Sequence, residues 1–144
     1  MKKTFKYIIS LALTISLCSC LFTAFATVES SAYLSAYSAG LTAESGKKII
    51  INVDVDATDY MDEIGASSIT LYRSSDGKSF SPIKTFDSDD YPDLLGSGLH
   101  LNEDVITYTG TAGYQYFAAV YCYAADSTVS DSRLYNTNVV TCFA

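Results

Sequence analysis

The chain has no tryptophan, one histidine (His100), two prolines and four cysteines in 144 residues. Each scarcity excludes something. One imidazole cannot build a multi-histidine metal cage or a histidine relay. No Cys-x-x-Cys pair occurs, so the thiolate zinc patterns are absent. No Gly-x-Ser-x-Gly elbow presents a nucleophile, and no glycine loop of the phosphate-cradling kind is present. Basic residues are also few, with nine Lys and Arg facing sixteen Asp and Glu. A chain so acidic has no electrostatic footprint for nucleic acid.

What is there begins with an address. Lys2, Lys3 and Lys6 precede the mostly apolar run Tyr7–Phe22, and Ala24-Phe25-Ala26 fits the small-x-small box of signal peptidase. A secretory signal over residues 1–26 is expected, leaving a secreted domain over 27–144. A retained membrane anchor is one alternative, disfavoured by the flanks and the cleavage box. A lipoprotein is the other, because Leu17-Cys18-Ser19-Cys20 loosely follows a bacterial lipobox ending at Cys20. Membrane contact is therefore expected only through the signal or a lipid at Cys20. Cleavage after Ala26 removes three of the nine basic residues and none of the sixteen acids, so the mature charge is six minus sixteen, or −10. Such a charge favours solubility outside the cell and repels anionic lipid. Calcium loading is the sharper alternative.

Cleavage also leaves only Cys122 and Cys142. Two cysteines in a secreted domain suggest a bridge, but strand position argues against one. If Tyr114–Ala124 and Arg133–Cys142 form a hairpin around 125–132, Cys122 lies opposite about Leu134 and Cys142 near Gly113. That separation along a strand is roughly 27 Å, against a disulfide limit of about 7 Å between Cα atoms. Two unpaired thiols are expected, with Cys122 buried as a small hydrophobe.

The mature chain opens with a lead segment over 27–45. Within it Tyr33–Glu44 matches a helix period at Leu34, Tyr37 and Leu41 and a strand period at Tyr37, Ala39, Leu41 and Ala43. Gly40 and the β context favour the strand, and Glu44–Lys47 is then a turn. Lys48–Ala57 alternates cleanly, with Ile49, Ile51, Val53 and Val55 on one face and Lys48, Asn52, Asp54 and Asp56 on the other. Thr58–Ala66, acidic at Asp59, Asp62 and Glu63, reads as a loop. Ser68–Arg73 is the next strand, followed by a hairpin at Asp76-Gly77. Phe80–Phe86 returns, with Pro82 marking an edge. Asp87–Asp104 reads as irregular, its leucines 94, 95, 99 and 101 plugging one end of the core. Val105–Thr109 and Arg133–Thr141 are further strands. Between these two lies Gly110–Ala125, read as a tight turn at Gly110 and Gly113 followed by the central strand of the protein.

Strands at this spacing in one domain, with no convincing helix, predict an all-β, single antiparallel β-sandwich. Gly113, Tyr116, Ala118 and Val120 follow the Gly-x-x-Tyr-x-Ala-x-Val beat and resemble strand F of fibronectin type III and immunoglobulin-like domains. That resemblance implies that Tyr116 is a corner tyrosine whose hydroxyl bonds to upstream backbone. Ala32–Tyr37, Met61–Ala66, Leu71–Gly77 and Gly110–Gly113 also occur in the same order in a family that the chain resembles. It comprises small secreted proteins of Gram-positive anaerobes, classed as a domain of unknown function. The likeness spans nearly all of residues 27–144 and implies compartment and a single β-domain, with no activity attached.

Enzyme chemistry finds little footing. Serines abound, but His100 lies in a leucine-rich stretch and no elbow accompanies it. Paired carboxylates could serve a small secreted hydrolase, yet a domain of this size has little room for a cleft. A non-enzyme is expected. The loop carrying Asp87, Asp89, Asp90 and Asp93 offers oxygen ligands for weak calcium binding, although it lacks the EF-hand pattern; no other cofactor is expected. The remaining candidate is aromatic. With Tyr116, Ala118, Val120 and Cys122 inward, period two sends Phe117, Ala119, Tyr121 and Tyr123 outward, and Tyr72 joins them from the neighbouring strand. Such a patch is rarely exposed without use. It suits a binding or adhesion module for a protein or glycan ligand. The alternatives are cover by Tyr33 and Tyr37 of the lead segment, or a self-associating structural subunit using free strand edges.

Overall fold

The computed structural model describes residues 32–144. The expected signal, its cleavage box and Cys20 lie outside them. The described residues form a curled antiparallel sheet of seven strands around a single core. The strands are β1 (Leu34–Glu44), β2 (Lys48–Ser74), β3 (Ser81–Asp87), β4 (Leu95–Thr109), β5 (Gln115–Ala125), β6 (Ser130–Asn136) and β7 (Val140–Thr141). A single 3-10 turn, Pro92–Leu94, precedes β4. Among the described residues, no helix is long and apolar enough to cross a membrane.

The strand with the most neighbours is β2 rather than the Gly110–Ala125 stretch. It runs for 27 residues and pairs with β1 and β4 along its first half, then with β3 and β5 along its second. The reason lies in its two alternating runs. Ile49, Ile51, Val53 and Val55 point into the core from the first half, and Ile69 and Leu71 from the second; all are fully buried. β5 is also internal, between β2 and the pair β6 and β7. Its Tyr116, Ala118, Val120 and Cys122 complete the same core.

Thr58–Ala66 is therefore strand, not loop. Its acids stay on the wet side while Met61, Ile64 and Ala66 are buried. The pairing with β4 slips on both sides of Met61, so this part bends and loses strict alternation. Gly65 sits at the bend with φ +144°, and a Cβ there would lie 2.2 Å from the carbonyl oxygen of Leu94. Only glycine fits that approach.

Most of Asp87–Asp104 is also ordered, since β4 starts at Leu95. Leu94 and Leu101 do close the core, whereas Leu99 is 55% exposed. Pro82 lies on β3, which pairs only with β2 among the described strands, an edge position as expected. The Asp76-Gly77 hairpin is built on side chains: the Asp76 carboxylate accepts from Lys78 N–H and Ser79 N–H, each at 2.9 Å, and from the Ser74 hydroxyl at 2.8 Å.

The last expected strand, Arg133–Thr141, is two strands with a break at 137–139. Across the break, Ala118 N–H donates to the Thr137 hydroxyl at 2.9 Å, and Thr137 N–H donates to the Ala118 carbonyl at 2.9 Å. Asn138 is thereby turned towards β1. Its side-chain oxygen accepts from Leu41 N–H and its amide donates to the Leu41 carbonyl, both at 2.9 Å. The register of β5 against β6 differs by one residue from the expected hairpin: Cys122 faces Arg133, and Tyr121 faces Leu134. A one-residue slip moves a side chain to the other face, so Leu134 lies outside.

Cys142 does lie by Gly113, whose N–H donates to its carbonyl at 2.8 Å. Both cysteines are buried free thiols. Burial pushes the Cys122 thiol up to about 12, which removes its reactive thiolate at neutral pH. Tyr116 is fully buried, and its hydroxyl accepts from Thr111 N–H at 2.8 Å.

Candidate binding surface

Period two along β5 sets the outer surface. Phe117, Ala119, Tyr121 and Tyr123 alternate with the core residues and face outwards. Cross-strand pairing then brings in neighbours. Tyr72 of β2 lies opposite Phe117, and the two rings stack with centroids 4.7 Å apart and planes 6° from parallel. Phe80, from the β2–β3 connection, meets Phe117 edge-on at 5.1 Å. Both arrangements are favoured by ring quadrupoles, so this end of the strip is held in one geometry.

A small-residue gap follows, where Ala119 faces Thr70 and the Thr70 hydroxyl lies 3.1 Å from that of Thr85. Beyond it Tyr121 and Leu134 sit directly opposite one another, 47% and 51% exposed. Tyr123 is half-buried, between Gly65 and Ser132. The four expected aromatic residues thus share one face, in two groups. Phe80 and Leu134 extend it and were not expected. The signal for Leu134 is the hairpin register; for Phe80 it is the Asp-Gly turn, which folds the start of the return segment back beside Tyr72.

The lead segment takes the other side. Tyr33 and Tyr37 pack against the core, and Tyr37 meets Tyr135 edge-on at 6.4 Å. Tyr135 lies opposite the core residue Val120. The described part of the lead segment therefore packs on the face of the sheet opposite to Tyr121.

The acidic loop is organised by its backbone. The Asp87 carbonyl accepts from Asp90 N–H at 3.0 Å and Tyr91 N–H at 2.9 Å. Asp87, Asp89, Asp90 and Asp93 are all exposed. Asp89 borders a shallow cavity of about 470 Å³ that Asp62, Glu63 and Leu95 also line. Among the described residues, the group of three side chains able to share a metal ion is a different one, Asp54, Asp56 and His100. His100 is not in an irregular stretch; it lies on β4 directly opposite Asp56. Its Nδ1 is 2.5 Å from Asp56 Oδ1 and 3.8 Å from Asp54 Oδ1. Beside it, the Asn52 amide donates to Asn102 Oδ1 at 3.2 Å and to Asp104 Oδ1 at 3.4 Å. The alternation of Asn52, Asp54 and Asp56 announced one half of this polar face. The other half needed the strand in which His100 sits.

No protein-family model, curated protein or solved structure matches the chain.

Proposed function

We propose that the protein is a secreted, non-enzymatic binding module that takes a glycan or protein partner on the face carrying Tyr72, Phe117, Tyr121 and Tyr123. The observation that carries this reading is the pair Tyr121 and Leu134, two large side chains about half exposed on neighbouring strands. They share the outer face of the sheet with a second group, the stacked rings of Tyr72, Phe117 and Phe80, across the small-residue gap at Ala119 and Thr70. Isolated exposed apolar residues need no explanation, but two groups of large apolar side chains on one sheet face do. Contact there rests on tyrosine stacking, since a tyrosine ring offers an apolar body with a polar tip.

The sandwich reading fits this function. β2 changes partners midway, keeping β1 and β4 on one half and β3 and β5 on the other. Fibronectin type III domains divide their strands between two packed sheets. The Tyr116 hydroxyl bond to Thr111 N–H also suits the corner tyrosine of those domains. Loops cluster at the ends of such a sandwich and leave the sheet faces free.

A self-associating subunit is the second reading, favoured by strand edges. Among the described residues β4 and β6 each pair with a single neighbour, and an open edge templates further pairing. One set of measurements separates the two. A glycan array and a pull-down from culture medium are probed with the purified protein and with Tyr121→Ala/Tyr123→Ala, alongside size-exclusion chromatography. A monomer whose capture of a ligand falls at least about tenfold in the double variant, at an unchanged urea midpoint, supports the module, since hot-spot aromatics carry effects of that size. Undiminished capture by the variant refutes this face, and a concentration-dependent dimer supports self-association.

A further inference from the structure

We infer that Asp54, Asp56 and His100 form a surface site for a borderline divalent metal ion of the Zn²⁺ type. The site stands on a different part of the molecule from the aromatic face and does not depend on it. Its three ligand atoms, one imidazole nitrogen and two carboxylate oxygens, lie within 4.8 Å of one another. Ligands bound about 2.0–2.2 Å from a zinc ion stand roughly 3.0–3.6 Å apart. The separations from His100 Nδ1, 2.5 Å to Asp56 and 3.8 Å to Asp54, bracket that span. Small torsional shifts of exposed side chains bring all three onto one ion.

The backbone accounts for the convergence. Asp56 and His100 are directly opposed, and Asp54 is opposed to Asn102, one pleat along. His100 therefore has one carboxylate straight across and another on the diagonal, both within reach of a long side chain. The intervening residues Val53, Val55 and Leu101 are buried, which pins the pleat and fixes the side from which the ligands project. The three donors thus stand on a rigid ladder rather than on a loop.

Charge and donor type point to the same class of ion. Two carboxylates on one strand face repel each other, and His100 Nδ1 lies 3.8 Å from Asp54 Oδ1 and 2.5 Å from Asp56 Oδ1. Asp104 adds a further acid on this face, bonded to the Asn52 amide. An imidazole nitrogen beside carboxylate oxygens favours zinc and its transition-metal neighbours over calcium and magnesium, which prefer all-oxygen shells. Three protein ligands leave at least one position for water or for a donor from a partner molecule. Because the carboxylates and imidazole are only about half covered, the site is open to solvent and to an added ion.

Isothermal titration of the purified, chelator-treated protein with ZnCl₂ tests this. The expected result is one saturable zinc per chain, at least about tenfold weaker binding in His100→Ala and in Asp56→Asn, and undiminished binding in Asp89→Asn. Cobalt(II) added to the wild type should give a visible absorption band that His100→Ala lacks, and excess calcium should not displace zinc. All three positions are on the surface, so the urea midpoints of the metal-free variants check that they fold. Absence of saturable zinc uptake, or uptake equal in wild type and His100→Ala, overturns the site and leaves a plain histidine–aspartate hydrogen bond.

Discussion

Tyr116 does two jobs with one side chain. Its ring fills the core beside Tyr108, with centroids 6.3 Å apart, while its hydroxyl satisfies the backbone N–H of Thr111. Tyr116→Phe keeps the ring and orphans the N–H, a loss of about 1–2 kcal/mol, to be read as a lower urea midpoint at unchanged slope. Asp76 is the electrostatic counterpart. The backbone N–H groups of Ser79 and Lys78, then the Ser74 hydroxyl, hold its carboxyl at about 2, below the ordinary 3.8. A folded value below the unfolded one stabilises the fold above the unfolded value and loses that contribution as pH falls through the folded one. The difference in urea midpoint between wild type and Asp76→Ala should therefore be constant above about pH 5 and shrink on acidification towards about 2.

Among the elements, the seam between β1 and the end of the chain is the least conventional. The outer edge of β1 at Leu41 is closed by the Asn138 side chain, which supplies one donor and one acceptor in place of a neighbouring strand. Asn138→Ala removes both bonds, so the Leu41 amide should exchange with deuterium markedly faster, at a cost of about 1–3 kcal/mol. Asn138→Asp keeps the acceptor and loses the donor, and should fall between. Nothing local in the sequence marks this contact, because it depends on where a break in β6 and β7 aims one side chain. By contrast, Ile49–Val55 and Tyr116–Cys122 were legible, since alternation reports directly which side of a strand is dry. That same alternation placed Tyr72, Phe117, Tyr121 and Tyr123 on one face. It failed over 58–66 and 95–104, where the strand bends or where glycines at 65, 96 and 98 leave no side chain to show a period. For that reason the sequence does not show His100 on a strand, nor the cluster it makes with Asp54 and Asp56. Leu134 stands one step of register from its expected place, because the length of the Asp126–Val129 turn decides which residues oppose one another.

On the scale of the whole molecule, the polar ladder and the stacked rings are kept on different halves of β2. The polar ladder of Asn52, Asp54, Asp56, His100 and Asn102 lies on the first half of β2 and its partner β4. The stacked rings lie on the second half and its partner β5. β2 is continuous through both, so the halves share one backbone and one core. That continuity has a consequence in time. Ile49 must wait for Tyr108, and Ser74 for Gln115, before either is flanked on that side. Only the β1 and β3 hairpins can close early, each leaving half of β2 with an unfilled edge. Contacts so distant along the chain incur their loop entropy before any reward arrives, which slows a β-protein to milliseconds or longer. The nascent protein therefore exposes Ile49–Val55 and Ile69–Leu71 until its last third has arrived. For that interval the longest strand of the fold is also its most adhesive segment.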